Sequence, residues 1–393
     1  MRTRSPAGEP PDSLRVALLA GTLGRGGAEK QLVYTARALR DAGVCVRVYT
    51  LGESEFYEGA LRDAGLPPMC VGRAANPVLR LVSFARAIRR FRPHIVQAAH
   101  FYVNLYVAVA ARLCGSVAIG AVRGDVVEEL EESGRWGRLL LHLPDALLAN
   151  SDAARRNGER LGAEALTIHV VPNVIDPSAF DLHRGRPRRD ESAGGHAVVA
   201  VVATLVPAKR LDRFLKALAR ARRVVPGLKG LLVGEGPERA SLAALADRLG
   251  LLPDGLEFRG ACDDIPRLMA EADMLALTSD HEGLPNVILE AMAARLPVVT
   301  TPAGDAAVVI EDGVSGFVVP FDAVEELADR LICLARGPAL RRELGEAGYQ
   351  RVTARYACAG LADRLVAVYR AVAQQSGHRQ VADKLPPRSA VMS

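Results

Sequence analysis

Glu282 and Glu290 stand eight positions apart in the stretch EGLPNVILE, with a proline between them. Pro285 favours a helix that begins within a residue of it, so Glu282 would lie in the preceding loop and Glu290 one to two turns inside the helix. That helix would present the amides of Asn286 and Val287 at its positive end, where an anion gains about 0.3–2 kcal/mol. The stretch is therefore a candidate diphosphate site, although glutamates at this spacing usually lie on the surface.

A glycine-rich turn, GTLGRGGAEK at 21–30, is a second candidate for binding phosphate. Gly24, Gly26 and Gly27 let backbone amides approach a ligand closely just before a helix begins. A plain tight turn capped by Glu29 fits the same residues, because the full G-x-G-x-x-G pattern and a Walker lysine are absent. Glu29 would also compete with a phosphate for the positive helix end, so it is expected to cap the helix or to bind sugar hydroxyls.

Two further turns carry groups that could hold a phosphate. Lys209 lies in VPAKRLD, after an apolar run, and can act as a point charge on a phosphate. Gly234 lies in GEGPER, where Pro237 suits the first position of a helix. A solvated lysine and a plain strand-to-helix connection fit the same residues, so these alternatives stay open.

These turns need a scaffold of strands and helices to position them. Short β-branched runs alternate with longer helical patterns twice along the chain, which is typical of parallel sheets in βαβ units. Each series predicts a Rossmann-like domain with ligands at the carboxyl ends of its strands, and two such domains would enclose a cleft. The predicted strands are 14–20, 44–50, 94–99, 116–122, 145–150 and 168–172 in the first series, and 197–205, 229–234, 256–260, 273–279 and 297–301 in the second.

The predicted fold class is therefore α/β, with two domains joined by a segment rich in charge, Gly and Pro. A last helical pattern follows the second domain. The polar segment after it is expected to be disordered. The predicted boundaries are 14–180 for the first domain, 181–196 for the linker, 197–358 for the second domain, 359–376 for the C-terminal helix and 377–393 for the tail.

Length and composition restrict the class of protein further. With 393 residues, 49% of them hydrophobic, the chain is too long for one typical core of about 150 residues. Its six cysteines form no C-x-x-C pair, which favours a reducing compartment and argues against a structural zinc. The chain begins without an apolar signal segment, and no run approaches the roughly 20 apolar residues that span a bilayer. We therefore expect a cytoplasmic protein.

The charge of the chain bears on its partners. A net charge of +5 and a pI near 9.0 favour anionic partners. Aromatic residues make up only 5%, and no basic tract is interleaved with them, so we expect no nucleic-acid partner.

A helical pattern at 78–92 surrounds an apolar stripe with arginines. Such a helix either packs its stripe on the sheet or lies on an anionic membrane. The second alternative would make the protein peripheral to the inner face of the plasma membrane. The stripe consists of Leu81, Phe84, Ile88 and Phe91.

Taken together, the motifs resemble glycosyltransferase family 4, whose members are retaining enzymes of the GT-B fold. The most specific element is the E-x(7)-E motif of Glu282 and Glu290, and the resemblance extends over residues 14–373. The supporting motifs occur in the order typical of the family. They are GRGGAE at 24–29, VPNVID at 171–176, VPAK at 206–209, VGEGPER at 233–239, RGACDDIPRLMAEADMLALTS at 259–279 and EDGVSGFVVP at 311–320.

The resemblance implies a transferase that moves a sugar from a UDP- or GDP-linked donor to a hydroxyl of a glycan, a lipid-linked or a small-molecule acceptor. The donor would bind mainly to the C-terminal domain and the acceptor to the N-terminal domain, to which the last helix of the chain would return. Glu290 would bind the ribose and Glu282 the donor sugar. Lys209 and the amides of Gly26 and Gly27 would neutralise the leaving diphosphate. The other donor-binding residues would be Thr204, Arg210, Gly234, Gly283, Leu284, Asn286 and Val287.

The family mechanism would be a front-face displacement in which the leaving phosphate takes the acceptor proton, without the paired carboxylates of retaining hydrolases. No metal ion or other cofactor is expected, because no D-x-D pattern follows a predicted strand. Two alternatives stay open. A nucleotide-sugar epimerase of the same fold would need several catalytic carboxylates and histidines, and an inert nucleotide-sugar-binding protein is supported only by the missing arginine described next.

The sequence departs from the family pattern at three positions. Thr204 stands where an arginine often precedes the lysine, and Arg210 is the candidate to replace that contact with the diphosphate. Arg123 stands where a histidine commonly follows an N-terminal strand. His100, at the end of HIVQAAH, is therefore the better histidine candidate. Arg123 and His100 are both catalytic candidates. A packed or capping role fits His100 equally well. Arg295 replaces a usual glycine after EAMAA, either as a tolerated surface change or as a contact.

Overall fold

The computed structural model describes residues 13–53, 55–73, 76–124, 130, 137–163, 167–181, 197–378, 381 and 384. These residues form two compact units, each built on one parallel sheet. The described residues up to Asn173 and from Cys358 onward belong to unit 1, and those from Val174 to Ala357 belong to unit 2. The α/β class that the alternating pattern predicts is confirmed.

The described part of unit 1 contains a seven-stranded parallel sheet. Its strands are β1 (Arg15–Ala20), β2 (Cys45–Thr50), β3 (Met69–Cys70), β4 (Ile95–Ala98), β5 (Val117–Val122), β6 (Ala146–Ala149) and β7 (Thr167–Val170). They lie in the order β3-β2-β1-β4-β5-β6-β7. Strand β5, which lies inside the sheet, is buried along its whole length, as expected for a parallel strand covered on both faces.

Helices follow the strands of unit 1. In α1, apolar residues recur at helical spacing and are buried, and Gly43, with a φ of +78°, follows the end of the helix. A short 3-10 turn at Phe101–Val103 precedes the helix after β4. The described helices are α1 (Gly27–Asp41), α2 (Glu58–Asp63), α3 (Pro77–Phe91), α4 (Asn104–Cys114), α5 (Gly137–His142) and α6 (Asp152–Arg160).

The described part of unit 2 contains a six-stranded parallel sheet. Its strands are β8 (Val198–Val202), β9 (Lys229–Val233), β10 (Leu256–Gly260), β11 (Met274–Leu277), β12 (Val298–Thr300) and β13 (Gly316–Val318). They lie in the order β10-β9-β8-β11-β12-β13. The first five were predicted. The sixth was missed because three residues that begin with a glycine carry too little periodicity to be recognised.

Two cores stabilise unit 2, one on each face of its sheet. Phe214 and Leu218 pack with the strands in one core, and Ile288 and Met292 pack in the other. Each such buried side chain contributes about 1.5–3 kcal/mol. The helices are α7 (Ser178–Asp181), α8 (Leu211–Val224), α9 (Arg239–Arg248), α10 (Ile265–Ala270), α11 (Asn286–Ala293), α12 (Ala306–Val309), α13 (Val324–Arg336) and α14 (Pro338–Tyr356).

The last helix, α15 (Leu361–Gln375), returns to unit 1 as predicted. Tyr369 is fully buried, and its hydroxyl donates to Gln97 Oε1 on β4 at 2.5 Å. A buried phenol needs such a partner for its hydroxyl. This bond joins residues from opposite ends of the chain and ties α15 to the sheet of unit 1.

The division of the chain differs from the predicted one at residues 174–180. The Ile175 N–H donates to the Tyr356 carbonyl at 2.8 Å, and Phe180 is buried in a core of unit 2. The predicted end of the first domain at 180 is therefore too late, because these apolar residues pack with unit 2. The predicted linker 181–196 and the tail 377–393 lie almost entirely outside the described residues.

The apolar stripe of α3 packs into unit 1. Phe84, Ile88 and Phe91 are buried, which confirms the packing alternative for this stripe. Across the described ranges, no helix combines the length and the apolar character that crossing a membrane requires.

We expect unit 1 to lose stability as the pH falls from about 6.5 towards 4, because of His94. Burial and the charge of Arg15 lower the pKa of His94 to about 4, and its Nδ1 accepts the Arg15 N–H at 3.0 Å. An unfolded histidine takes up a proton near pH 6.5. Between these two values only the unfolded chain is protonated, so the unfolding free energy falls with the pH.

The variant His94→Asn tests this expectation, since an asparagine Oδ1 can accept the same N–H without titrating. Urea unfolding at several pH values between about 4.5 and 7.5 should give a flatter dependence for the variant. Equal slopes in the two proteins would contradict the role of His94.

Candidate functional site

Both sheets contain a switch point, which is a pair of adjacent strands whose following connections run towards opposite ends of the strand order. It lies between β1 and β4 in unit 1 and between β8 and β11 in unit 2. The loops after such strands separate at the carboxyl edge and leave a crevice for ligands. Lys209 and Glu282 follow β8 and β11, while Gly26 and His100 follow β1 and β4. The structure therefore brings predicted site residues to the switch point of each unit.

Lys209 and Glu282 form an ion pair at the switch point of unit 2. Lys209 Nζ lies 2.6 Å from Glu282 Oε1, and Ser279 Oγ donates to the same oxygen at 2.7 Å. The two charged side chains are 25% and 14% exposed, so a ligand can still reach them. A charge-assisted bond of this length orients the ammonium group, which has further N–H donors for a second anion.

The loops that carry this pair are bonded to each other. The Asp280 N–H donates to the Ala208 carbonyl at 2.9 Å, and Thr278 Oγ1 donates to the Lys209 carbonyl at 3.1 Å. Arg210, with a φ of +46°, then leads into α8. These bonds fix the backbone on both sides of the ion pair.

Arg210 lies at the site, but its guanidinium is shared among carboxylates. It donates to Asp212 and to Asp280 at 3.1 Å each, and these bonds raise the pKa of Arg210 above its usual value. Arg213, only 4% exposed, contacts Asp280 at 2.6 Å and Asp322 at 2.7 Å. Burial opposes the ionisation of Asp280, but hydrogen bonds from the two arginines outweigh it and lower its pKa. This cluster anchors the loop after β11.

Helix α11 begins where the proline predicts. Pro285 is its N-cap and Asn286 its first residue, so Glu282 lies in the loop and Glu290 inside the helix. Amide groups at a helix N-terminus point along its axis, which places those of Asn286 and Val287 at the end next to the loop. Glu290 is only 6% exposed. A surface position, the usual one for a glutamate, is therefore excluded for this residue.

Gly283 and Leu284 complete the loop before α11. The Gly283 carbonyl accepts the Asp305 N–H at 2.9 Å, and Leu284 is buried. A Cβ on Gly304, where φ is +58°, would lie 2.2 Å from the Glu282 carbonyl oxygen. Only glycine lets the loop after β12 approach so closely, and this approach supports the backbone of Glu282.

Gly234 and Thr204 lie in the loops after β9 and β8. A Cβ on Gly234, where φ is +138°, would lie 1.8 Å from the Ala203 carbonyl oxygen, so this close approach requires glycine. The Leu205 N–H donates to the Glu235 carbonyl at 2.9 Å, which joins the two loops. Thr204 is exposed in this arrangement.

At the switch point of unit 1, His100 is tied to the glycine-rich turn. Its Nδ1 accepts the Gly21 N–H at 3.2 Å, and its Nε2 lies 3.3 Å from Glu29 Oε1. Thr22 Oγ1 donates to the same carboxylate oxygen at 2.6 Å. Burial opposes the ionisation of Glu29, but its contact with His100 and the hydrogen bond from Thr22 outweigh it and lower its pKa. Glu29 is therefore an ionised, mostly buried carboxylate.

Gly26 is the N-cap of α1 and Gly27 its first residue. A Cβ on Gly26 would lie 2.0 Å from Glu29 Oε2, so the carboxylate lies over the turn whose amides were expected to meet a phosphate. An ionised carboxylate repels a second anion at the same helix end. This arrangement favours the alternatives in which Glu29 caps the helix or binds sugar hydroxyls.

Arg123 follows β5, the neighbour of β4. Its Nη1 donates to Asn173 Oδ1 at 3.4 Å, and its carbonyl accepts from Asn150 Nδ2 at 3.4 Å. It therefore lies at the same edge of the unit 1 sheet as His100.

Arg295, the third departure from the family pattern, makes contacts in unit 2. Its φ of +57° lies in the left-handed region, which explains why a glycine suits this position. Its guanidinium bonds Asp181 and Glu346 at 3.0 Å each and lies 3.4 Å from the centre of the Tyr349 ring. Of the two interpretations of Arg295, a contact is therefore favoured over a tolerated surface change.

Several polar residues that complete these sites were missed from the sequence. Most of them lie within a few positions of the carboxyl end of a strand, which is the signal that could have found them. Arg213, inside α8, gives no such signal. Within the described part of the chain, no group of three or more His, Cys, Asp or Glu side chains is placed to hold a metal ion. The missed residues are Thr22, Tyr102, Arg213, Ser279 and Asp280.

Each half of the chain matches a family model. Residues 25–179 match Glycosyltransferase Family 4, and residues 186–351 match Glycosyl transferases group 1. An exopolysaccharide phosphotransferase of Streptomyces coelicolor is 34% identical over 224 residues, which are 55% of this chain and 22% of that protein. A D-inositol 3-phosphate glycosyltransferase of Segniliparus rotundus is 30% identical over 256 residues, 63% of this chain and 57% of that protein. The chain thus matches only part of the length of these two relatives.

A solved structure shares the fold. The Anabaena HepE protein, in complex with UDP and glucose, is 21% identical with a TM-score of 0.78, and the match covers 91% of this chain and 100% of that one. Each half of the chain therefore resembles a glycosyltransferase domain, and the chain has the GT-B fold of its structural neighbour.

Proposed function

We propose that the chain is a retaining glycosyltransferase that moves a sugar from a UDP- or GDP-linked donor to an acceptor hydroxyl. The observation that carries this proposal is the Lys209–Glu282 ion pair at the switch point of unit 2. A cation for the diphosphate, a carboxylate for sugar hydroxyls and a helix N-terminus lie along one edge of that sheet. The likeness to a protein that contains UDP and glucose supports such a donor.

Lys209 neutralises the leaving diphosphate in this proposal. As the glycosidic bond breaks, negative charge builds on the phosphate oxygen, and a donor aimed at that charge contributes about 3 kcal/mol. The amides of Asn286 and Val287 add about 0.3–2 kcal/mol through the helix dipole. Arg210, whose three carboxylate contacts leave further N–H donors on its guanidinium, is a second candidate to contact the diphosphate.

Glu282 and Glu290 have separate roles. Glu282 is partly exposed and oriented by Lys209 and Ser279, so it holds hydroxyls of the donor sugar. Glu290 holds the ribose hydroxyls from inside α11. The acceptor oxygen bonds the sugar carbon on the face that the diphosphate leaves, and the departing phosphate oxygen takes the acceptor proton. No carboxylate bonds the sugar, in contrast to the retaining hydrolases.

We expect one of the UDP-, GDP-, ADP- or dTDP-sugars to raise the melting temperature of the full chain. The substitution Glu290→Gln should weaken the binding of this donor at least about tenfold. Loss of a hydrogen bond to a charged group costs about 1.5–3 kcal/mol. Thermal-shift titrations measure the effect, since a ligand at 100 times its Kd stabilises by about 2.7 kcal/mol. Glu325→Gln, at a 66% exposed position of unit 2, is the matched control. Donor stabilisation that is unchanged in Glu290→Gln would refute the ribose role.

Release of nucleoside diphosphate with a panel of acceptors tests transfer itself. The product should keep the anomeric configuration of the donor, and EDTA should not slow the reaction, because Lys209 and helix amides neutralise the charge. Donor binding without turnover across the panel would favour the inert binding protein. Formation of an epimeric sugar would favour the epimerase.

The acceptor side of the proposal includes a membrane contact through the exposed face of α3. This face lies opposite the packed stripe, and it begins with Val78 and Leu79, which are 65% and 57% exposed. The helix contains no acidic residue. Apolar residues that enter the interface, followed by arginines that meet lipid phosphates, suit an anionic bilayer, and each arginine contributes about 1 kcal/mol. The exposed arginines are Arg86, Arg89 and Arg90.

Substitution of these three arginines by glutamate is expected to weaken binding to vesicles of phosphatidylcholine and phosphatidylglycerol by about 100-fold, at about 1 kcal/mol each. Co-sedimentation measures the bound fraction. The charge-matched control replaces three exposed arginines of unit 2 by glutamate and should bind like the wild type. Binding that does not depend on the anionic lipid content would count against the contact. The control positions are Arg220, Arg223 and Arg248.

A further inference from the structure

Tyr102 lies beside His100 at the switch point of unit 1. Its ring stacks on the imidazole, with the ring centres 5.3 Å apart and an angle of 24° between the planes. The residues on either side of it, Phe101 and Val103, are buried, but Tyr102 is 48% exposed. The short turn after β4 thus exposes the ring of Tyr102 at the carboxyl edge of the sheet, where ligands bind in such folds.

The loop after β1 makes room for this ring. A Cβ on Gly21 would lie 2.0 Å from Tyr102 Oη and 2.2 Å from Cε2, so the phenol lies directly on the loop backbone. Burial and the negative charges of Glu29 and Glu55 raise the pKa of Tyr102 to about 12. The phenol therefore keeps its proton at neutral pH and can donate a hydrogen bond.

His100 uses both of its ring nitrogens within unit 1. Nδ1 accepts the Gly21 N–H and so carries no proton, which leaves the proton of the neutral ring on Nε2. Nε2 is buried and lies 3.3 Å from Glu29 Oε1, an ion-pair distance, but without the geometry of a hydrogen bond. To take a proton from a substrate, the ring would first have to give up one of these two contacts.

Glu29 is held in the same way. Thr22 Oγ1 donates to Oε1, and the residue is only 7% exposed. Its carboxylate is therefore placed to orient His100. Thr22, Glu29 and His100 form a chain of contacts that ends at the exposed ring of Tyr102.

We propose that Tyr102 binds the acceptor and that Glu29 and His100 are positioning residues that present it. The inference rests on the proposed function, since it assigns a hydroxylated acceptor to unit 1. The ring offers an apolar surface to the acceptor, and Oη donates to one of its hydroxyls. His100 then acts through Tyr102 and does not accept the acceptor proton.

Steady-state kinetics with the acceptor found in the panel test the contact. Tyr102→Phe should raise the KM for the acceptor about 2- to 10-fold, which is the change expected from the loss of one hydrogen bond. Tyr102→Ala should raise it more, and the KM for the nucleotide sugar should stay unchanged in both. Leu105→Ala, at a 37% exposed position one turn further along, is the matched control.

Two substitutions of His100 test the positioning role. His100→Ala should raise the KM for the acceptor, as Tyr102→Ala does. His100→Gln keeps an N–H that can donate to Glu29 but cannot serve as a base, so its acceptor KM should stay close to that of the wild type. In the wild type, the ¹⁵N spectrum of the ring should show the Nε2–H tautomer. Equal loss of kcat in both variants, with an unchanged acceptor KM, would overturn the proposal and identify His100 as the base.

Different results would overturn the acceptor role of Tyr102 and the proposed function of the chain. An acceptor KM that is unchanged in Tyr102→Ala, in a protein that transfers sugar, would overturn the role of Tyr102 alone. Absence of transfer by the wild type with every donor and acceptor would overturn the proposed function, and the acceptor role with it.

Discussion

Replacement of Lys209 by methionine is expected to lower kcat for sugar transfer by about 10²–10³-fold, the cost of removing one donor aimed at a developing negative charge. Methionine keeps the apolar stem but removes the ammonium that lies 2.6 Å from Glu282. The charge on the leaving diphosphate is greatest in the transition state, so kcat should fall more than the KM for the donor rises. Release of nucleoside diphosphate at saturating donor and acceptor measures the effect.

Lys216→Met is the matched control for this prediction. Lys216 lies on α8 of the same unit, pairs with Asp212 at 2.8 Å and is 48% exposed, so its loss should change kcat less than about twofold. A Lys209→Met protein with the kcat of the control would show that the leaving group is neutralised elsewhere, and Arg210 would then be the first residue to test.

Arg213→Met is expected to lower the unfolding free energy of unit 2 by about 3 kcal/mol, the lower end of the cost of breaking a buried ion pair. The guanidinium is 4% exposed, bonds Asp280 and Asp322, and donates to the buried Thr278 carbonyl at 3.1 Å. The lower end applies because the two carboxylates are 30% and 69% exposed and regain water when the arginine is lost. Urea unfolding followed by circular dichroism measures the change.

Arg220→Met, on the same helix, provides the comparison. Arg220 pairs with Glu325 at 2.8 Å, and the side chains are 51% and 66% exposed, so its loss should cost less than about 1 kcal/mol. Arg213→Met should also reduce kcat, because Asp280 lies in the loop that carries Glu282. Equal stability of the two variants would show that the buried cluster does not anchor this loop.

Local patterns were sufficient to predict the positions of the turns that carry the candidate site. The β-branched runs mark β8 and β11, and Pro285 marks the start of α11 within one residue. These features depend on backbone preferences and on side-chain spacing within a few residues, which any stretch of sequence carries by itself. The same reasoning predicted two parallel sheets and a last helix, and the family resemblance implied that this helix returns to the first domain.

Contacts between residues distant in sequence could not be predicted in this way. Lys209 and Glu282 are 73 positions apart, and His100 and Gly21 are 79 apart. Both pairs meet because β8 lies next to β11 and β1 lies next to β4. Strand order is decided by the packing of the whole sheet, and no local pattern carries it.

The sequence by itself therefore determined the kind of fold, the strand ends and the residue types available at the proposed nucleotide-sugar site. Only the tertiary structure decided their partners. It pairs Lys209 with Glu282, commits Arg210 to carboxylates and turns His100 towards Glu29. The physical reason is that the charge, orientation and exposure of a side chain depend on the atoms around it in space, which strands and loops from distant parts of the chain supply.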